Sequence, residues 1–323
     1  MAAGDSGTGT GAGAGAGGAR GSGPAELGPQ ELRILVAVAE AGGFSAAAAA
    51  LGLTQSAVSH SVRGSEAKIG AVLFERGRSG ASPTPAGERA VGHARRILRL
   101  YEVLGAEARG AGRAGGPAGP GAGADVLEGV IRIAAFRSAA LHLLPPALER
   151  LTARHPGVRP EVRVVRELGA GTAGEVAAGR ADLGIATLGG PSELPPGLLS
   201  GVLAREAYAL VHPVGHPDPK ALPLLDWDEN CGSYTRDWWR AQDWIPSATV
   251  KAEDDGMVLT MVGRGLGMAI LPELSLREAG PAVQITGLGP SGPVRRVGYV
   301  TTPESAATLA VRALIRELRS EKG

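Results

Sequence analysis

Two stretches of this chain offer almost nothing with which to build a core, and they fix how the rest is divided. Residues 1–24 and 105–124 are mostly Gly, Ala, Ser, Thr and Pro. A segment of that composition cannot bury enough apolar area to offset chain entropy. We therefore read residues 1–27 as a disordered Gly/Ala-rich tail and 109–126 as a flexible Gly/Pro linker. What remains is a short front segment and a long back segment, 127–323. With 323 residues in all and roughly 100–200 residues per domain, two folded parts are expected.

The front segment alternates short apolar helices with glycine stops. In Pro29–Ala41, Leu32, Leu35, Val36 and Ala39 recur at helical spacing, and Gly42-Gly43 ends the run. Ser45 is an N-cap candidate for a helix over Ala46–Leu51, with Phe44 placed to staple it. Gly52-Leu53 makes a turn, and Thr54 caps a further helix through Val62. Two short helices joined by a glycine turn form a helix-turn-helix pattern. Ala57, Val58 and Val62 are assigned to the inner face of the second helix. Gln55, Ser56, Ser59, His60 and Arg63 make a polar outer ridge that can meet phosphates and base edges in a major groove. Glu75-Arg76-Gly77-Arg78-Ser79-Gly80 reads as a basic turn between two short strands, a wing that lays Arg76 and Arg78 on phosphate or in a minor groove. The winged helix-turn-helix is thus placed over 28–84.

Thr84-Pro85 opens a long helix over 85–108. Its stripe of Val91, Ala94, Ile97, Leu98, Tyr101 and Leu104 suits a dimeric helix pair or packing on its own domain. Charge splits along the same line. Residues 30–113 carry eleven Lys/Arg against seven Asp/Glu, a net +4, whereas 125–323 come to −2. A basic front segment suits a polyanionic partner.

From Leu127 the pattern is strands alternating with helices, with strands at Val130–Ala135, Glu161–Val165, Asp182–Ala186, Leu203–Val211 and Val294–Thr301. Helices are read at Leu141–Arg154, Gly174–Ala178 and after Thr302-Pro303. That alternation predicts parallel strands with helices on both faces, and ligands at the strands' carboxyl ends.

These residues resemble the LysR-type transcriptional regulators. The resemblance is carried by Phe44–Ala48, Leu51, Thr54–Val62, Glu66, Gly70, Leu73–Arg76 and Thr84–Gly87. Further along it is carried by Leu144-Pro145, Gly179–Ile185 and Gly265–Pro272. It spans about residues 29–320. It implies an α+β multidomain chain, an N-terminal winged helix-turn-helix followed by a periplasmic-binding-protein-like α/β effector domain of two lobes. The first lobe is placed at 127–211 and 282–323, the second at 212–281, with 85–108 as the dimerising helix. The implied function is sequence-specific transcriptional regulation on double-stranded promoter DNA, modulated by a small-molecule effector. The implied partners are a second or further copies in a homodimer or homotetramer, and RNA polymerase. Within the cleft the resemblance points to Arg137, Ser138, Gly171, Thr172 and Thr187 from the first lobe and Ser233, Tyr234 and Thr235 from the second.

Two departures bear on this. Ser65 stands where the family prefers a Leu before the Glu, and Gly64 precedes it. A mid-helix Gly costs about 1 kcal/mol and a lost core Leu on the order of 2–5 kcal/mol, so the recognition helix is expected to end early or repack. The long linker is expected to loosen the coupling between the first lobe and the DNA-binding arm.

Other functions find little support. No P-loop, His-Glu-x-x-His or Gly-x-Ser-x-Gly occurs, so the chain is read as a non-enzyme without cofactor or metal. Cys231 is the single cysteine, which excludes an intrachain disulfide. There is no apolar run of about 18 residues and no secretory leader, which predicts a soluble cytoplasmic protein. The four Trp residues, Trp227, Trp238, Trp239 and Trp244, form either the core of a small lobe or a ring-lined pocket. The competing reading of the whole chain is a cytosolic small-molecule sensor with a degenerate, non-DNA-binding helix-turn-helix.

Overall fold

The computed structural model describes residues 26–77, 80–114, 127–189, 194–229 and 238–320. Most of the expected tail, the rest of the linker, Arg78, Cys231, Ser233, Tyr234 and Thr235 lie outside the described residues.

Three helices build the front domain: α1 (Pro29–Ala41), α2 (Phe44–Leu51) and α3 (Gln55–Ile69). Their shared core is Ile34, Leu35, Val38, Ala47, Ala48, Val58 and Val62, closed by Leu73, Phe74 and Ala81. The small alanines of α2 let α3 cross closely. The wing is an antiparallel pair, β1 (Phe74–Gly77) and β2 (Gly80–Pro83). Gly80 has φ +130°, and a Cβ there would stand 2.1 Å from the Gly42 carbonyl oxygen. That oxygen accepts the Ala81 N–H at 2.8 Å, which pins the wing to the end of α1. Glu66 ties α3 to β1 by accepting from the Leu73 and Phe74 amides at 2.8 and 3.3 Å.

Three local expectations are corrected. Ser45 lies inside α2, whose N-cap is Gly43. Ser59 faces inward and Ala57 outward, because the buried face of α3 runs Val58, Ser59, Val62, Ser65. The helix does not stop at Gly64-Ser65. The Ser65 side chain is fully buried, and its hydroxyl donates to the Ser61 carbonyl at 3.0 Å, so no polar group is orphaned where the leucine is missing.

Helix α4 (Pro85–Ala114) is about 45 Å long and continues six residues past the expected end. Thr84 caps it, accepting the Gly87 amide at 3.0 Å. Gly87 is required because a Cβ would lie 1.9 Å from the Leu73 carbonyl oxygen. The extension through Gly105, Gly110 and Gly112 is held by packing: Ala106 and Gly110 are buried, and Ala106 lies against Gly129.

The back domain is built on one mixed sheet. Strands β3 (Glu128–Ala135), β4 (Gly157–Val164) and β5 (Leu183–Leu188) are parallel, with β3 between the other two. Strand β11 (Val294–Thr301) lies antiparallel to β5 and to β6 (Leu199–Pro213), which corrects the all-parallel expectation. On one face lie α5 (Arg137–His142), α6 (Leu144–Arg154) and the terminal α9 (Leu309–Arg319), around Ile131, Ile133, Leu144, Leu151 and Leu314. The single helix expected over Leu141–Arg154 is thus two, broken before Pro145. On the other face lies α7 (Gly171–Ala177).

The second lobe grows from the far half of β6. Residues 209–213 pair with β10 (Val283–Gly287), and Tyr208–Val211 with β9 (Ala269–Pro272). A parallel pair, β7 (Leu224–Trp227) and β8 (Ala248–Ala252), and helix α8 (Asp255–Gly263) complete it. The break between lobes therefore falls near Ala207, and β10 pairs with the second lobe rather than the first, where the sequence reading put it. Trp239 packs with Tyr208, Leu210, Met268 and Ile270, and Trp227 with Val211, Leu225 and Val258. These two rings build the small lobe's own core.

Gly64 has open space around its α-hydrogens and ordinary helical backbone. Gly64→Ala should stabilise the front domain by about 0.5–1 kcal/mol, read as a raised denaturant midpoint at unchanged slope. A loss of stability would show that α3 is not continuous through this position.

Candidate nucleic-acid interface and ligand cleft

Helix α3 presents a polar edge that rests on a fixed cap. Thr54 Oγ1 accepts the Ala57 amide at 3.2 Å and pairs with Ser56 Oγ at 3.0 Å. Gln55, Ser56, His60 and Arg63 are exposed along this edge. Gln55 Nε2 donates to Ser59 Oγ at 3.2 Å, so Ser59 orients a ridge residue instead of belonging to the ridge. Arg76, on β1, sits 4.5 Å over the Phe44 ring, which in turn packs edge-on against Phe74 at 6.3 Å. The ring contact fixes the wing's guanidinium beside the start of α2 while leaving it solvent-facing. Ser45 is exposed on the same helix. One surface thus carries hydroxyl, amide, imidazole and guanidinium groups, the set that donates to phosphates and reads base edges.

Among the described residues of the expected cleft, Gly171, Thr172 and Thr187 are brought together, and a carboxylate of the chain itself already engages them. Thr172 donates both its amide and its hydroxyl to Glu167 Oε2 at 3.0 Å, and the Thr187 amide donates to Glu167 Oε1 at 3.1 Å. Gly171 has φ +47°, and a Cβ there would lie 2.6 Å from Glu167 Oε2. Burial pushes the Glu167 carboxyl above its ordinary value, and the three donors with the Arg295 charge pull only partly back. Ser138 is buried at the start of α5 and accepts from Arg295 at 3.4 Å. Arg295 lies over Phe136 at 4.8 Å and pairs with Glu206 at 2.5 Å, both almost fully buried. Burial also raises the Glu206 carboxyl, against the Arg295 charge.

Arg137 crosses to the second lobe. It meets Asp255 at 2.9 Å and Glu278 at 2.5 Å, through space left open by Gly256. Asp255 is held by the Ser275 hydroxyl, and His142 also reaches Glu278 at 3.2 Å. At the other rim Arg166 meets Glu229 at 2.9 Å and Asp228 at 3.5 Å. Two first-lobe arginines thus bridge the lobes at the carboxyl ends of their strands.

The sequence reading missed Glu167, Arg166, Glu206, Arg295 and the seat of the long helix. Arg99 Nε donates to Asp182 at 2.7 Å, and its terminal nitrogen to the Val130 carbonyl at 2.5 Å. Asp182 also accepts the Arg132 amide at 2.8 Å. Burial lowers the Arg99 pKa, but the hydrogen bonds and charges of Asp182 and Glu102 more than offset it, and the net shift is upward. Arg96 and Arg95 donate to the Ala177 and Ala178 carbonyls at 2.5 and 3.3 Å, at the C-terminal end of α7. Gly92 lies directly against those residues. The first lobe is therefore fastened to α4 by side chains, contrary to the loose coupling expected from the linker. Among the described residues no helix is long and apolar enough to cross a membrane, and no cluster of three metal-ligating side chains occurs.

Comparison with known proteins agrees with both halves. Residues 29–88 match the bacterial regulatory helix-turn-helix protein, lysR family, and residues 124–323 match the LysR substrate binding domain. A probable HTH-type transcriptional regulator, LrrA of Synechococcus elongatus, is 33% identical over 78% of this chain and 83% of its own length. The transcriptional regulator IlvY of Escherichia coli is 28% identical over 77% and 83%. Among solved structures, a full-length OxyR variant from Pseudomonas aeruginosa superposes with a TM-score of 0.66 at 22% identity, over 91% of this chain and 95% of the other. CbnR in complex with its target DNA gives 0.60 at 20% identity, over 91% and 99%.

Removing Arg99 strands a carboxylate that is nearly buried. Arg99→Ala should cost on the order of 3 kcal/mol and speed amide exchange along residues 92–110, with exchange in residues 30–75 unchanged. Unaltered exchange along α4 would mean the clamp does not hold the helix.

Proposed function

The chain belongs to the LysR family of bacterial transcriptional regulators, and we propose that it reads promoter DNA through Gln55, Ser56, His60 and Arg63 of α3. Arg76, Ser45 and Thr54 position it on the phosphates, and Arg78, whose structure is not described, is assigned to the wing's phosphate contact on sequence alone. The observation that carries this reading is the exposed polar edge of an unbroken α3, backed by a packed core and flanked by the guanidinium held on Phe44. Continuity of α3 through Gly64-Ser65 removes the feature that favoured a degenerate, non-DNA-binding sensor.

The regulator works as a dimer through α4. Val91 and Ala94 turn into their own domain, but Ile97, Leu100, Tyr101 and Leu104 are 42%, 40%, 50% and 66% exposed. They recur at i, i+3, i+4 and i+7, the seam a second helix covers. A small-molecule effector enters between the lobes, against Ser138, Gly171, Thr172 and Thr187, with Arg137 acting on the rim and 233–235 contributing from the second lobe. A regulator of this kind performs no chemistry on its effector, acts in the cytoplasm, and makes RNA polymerase a further partner at the promoter.

The deciding experiment is binding to DNA from upstream of the protein's own gene and its divergent neighbour, against random competitor, at two salt concentrations. Gln55→Ala and His60→Ala should relax sequence preference by about 1–3 kcal/mol at one base pair each. Arg76→Ala should weaken all sequences alike and lower the salt slope by about one. Identical behaviour of the two classes would refute the division into readers and positioners. Absence of any specific band from a folded dimer would favour the sensor reading.

A pair of charges in the α4 seam should break the dimer. Leu104→Glu with Tyr101→Glu should give a monomer by light scattering, with circular dichroism retained. A persistent dimer would place the interface elsewhere.

A further inference from the structure

The cleft reading above leaves the effector's chemistry open, and the floor of the cleft narrows it. In register, Arg295 stands directly opposite Glu206, and Val297 opposite Thr187. Directly opposed residues and residues two apart along a strand share one face of a sheet. Thr187, Arg295 and Glu206 therefore project from the same face, where the sheet passes from one lobe to the other and where Arg295 reaches Ser138.

Most groups there that would attract an anion are already engaged by an internal carboxylate, while the Ser138 hydroxyl accepts from Arg295. Glu167 takes the donors of Thr172 and Thr187, Glu206 takes Arg295, and Asp255 with Glu278 takes Arg137. The atoms left over have the opposite need. Glu206 is 3% exposed, yet its Oε1 has no hydrogen-bond partner, and Thr187 Oγ1 is likewise buried without one. A buried carboxylate oxygen left unpaired is costly, and an incoming N–H donor relieves it. The wider field has the same sign. Across the two rims and the floor, eight described carboxylates, Glu273 among them, face four guanidinium groups, Arg277 among them, and His142.

We infer that the effector carries cationic N–H donors, ammonium or guanidinium groups, received at Glu206 Oε1 and at Thr187 Oγ1 on the one sheet face of the cleft. This rests on the cleft being the effector site. It specifies a positively charged ligand. The carboxylates of Glu206 and Glu167 supply the charge, and the Thr187 hydroxyl supplies an acceptor that Glu167 leaves free by bonding only to the amide.

The test is the thermal midpoint of the full-length protein, titrated at matched ionic strength with putrescine and agmatine, and in parallel with succinate and benzoate. The cations should raise the midpoint in a saturable way and the anions should not. Glu206→Gln should weaken cation binding at least about tenfold, by withdrawing a charge-assisted bond. Because Glu206→Gln disturbs the Arg295 pair, Thr187→Val carries the test independently. It should leave the ligand-free midpoint unchanged or raised, since it deletes an orphaned hydroxyl, and should still diminish the cation shift. Stabilisation by the anions alone would overturn the inference while keeping the cleft as a ligand site. No shift from any probe would overturn both. A cation shift that survives both substitutions would place the cation elsewhere and overturn the inference.

Discussion

The seat of α4 on the first lobe decides how this molecule is assembled. Arg99 and Asp182 are both largely buried there, and each has further partners: the Val130 carbonyl for the guanidinium, the Arg132 amide for the carboxylate. A buried pair of this kind contributes little net stability against an apolar substitute, but leaving either partner alone is expensive. Its effect is to select one register of helix on lobe. The glycines complete that selection. Gly179 has φ +70°, and a Cβ on it would stand 2.9 Å from the Gly92 carbonyl oxygen, so backbone meets backbone where the helix crosses. Because α1 packs on the first turns of α4 through Val91, fixing α4 on the lobe also fixes where the recognition helix lies.

Internal charge pairing explains the cleft in the same terms. A carboxylate at the position of Glu167 loses hydration, which raises its pKa, and recovers part of that loss from three donors. Thr172 and the Thr187 amide are thus satisfied without a ligand. Arg137 and Arg166 do the corresponding work at the rims, each holding a first-lobe strand end to second-lobe carboxylates. The lobes therefore meet through ion pairs, through the shared strand β6, and through Leu274, which packs into the first lobe's apolar core.

The sequence made the front domain legible almost residue by residue, because its signals are local. The Gly42-Gly43 stop, the Thr54 and Thr84 caps and the alanine face of α2 each act within one or two turns of chain. Errors arose where a side chain's role is set by a distant partner. Ser65 looks disruptive until the Ser61 carbonyl is seen to accept from it. Arg137 reads as a residue of the open cleft until Asp255 and Glu278, more than a hundred residues on, claim it. Glu206 and Arg295 each sit in a strand as isolated charges, and only strand register sets them opposite one another. The linker glycines suggested looseness because composition reports on chain entropy and is silent on three arginines that reach across to another domain.

One short element joins these two sets of contacts. Helix α7 is about 10 Å long; its first turn is tied to Glu167 through Thr172, and the carbonyls at its other end receive Arg96 and Arg95 from α4. Between those ends it is packed tightly, with Gly184 of β5 lying against the Thr172 carbonyl and Val176. Close-packed interiors do not absorb displacement locally. Glu167, Thr172, α7 and the arginines of α4 thus form one contiguous set of contacts that ends at the helix carrying the front domain. Two turns of helix separate the Glu167 contacts from the arginines of α4, and at that far end Arg163 and Arg180 hold the Glu175 side chain while Arg95 and Arg96 take the backbone carbonyls.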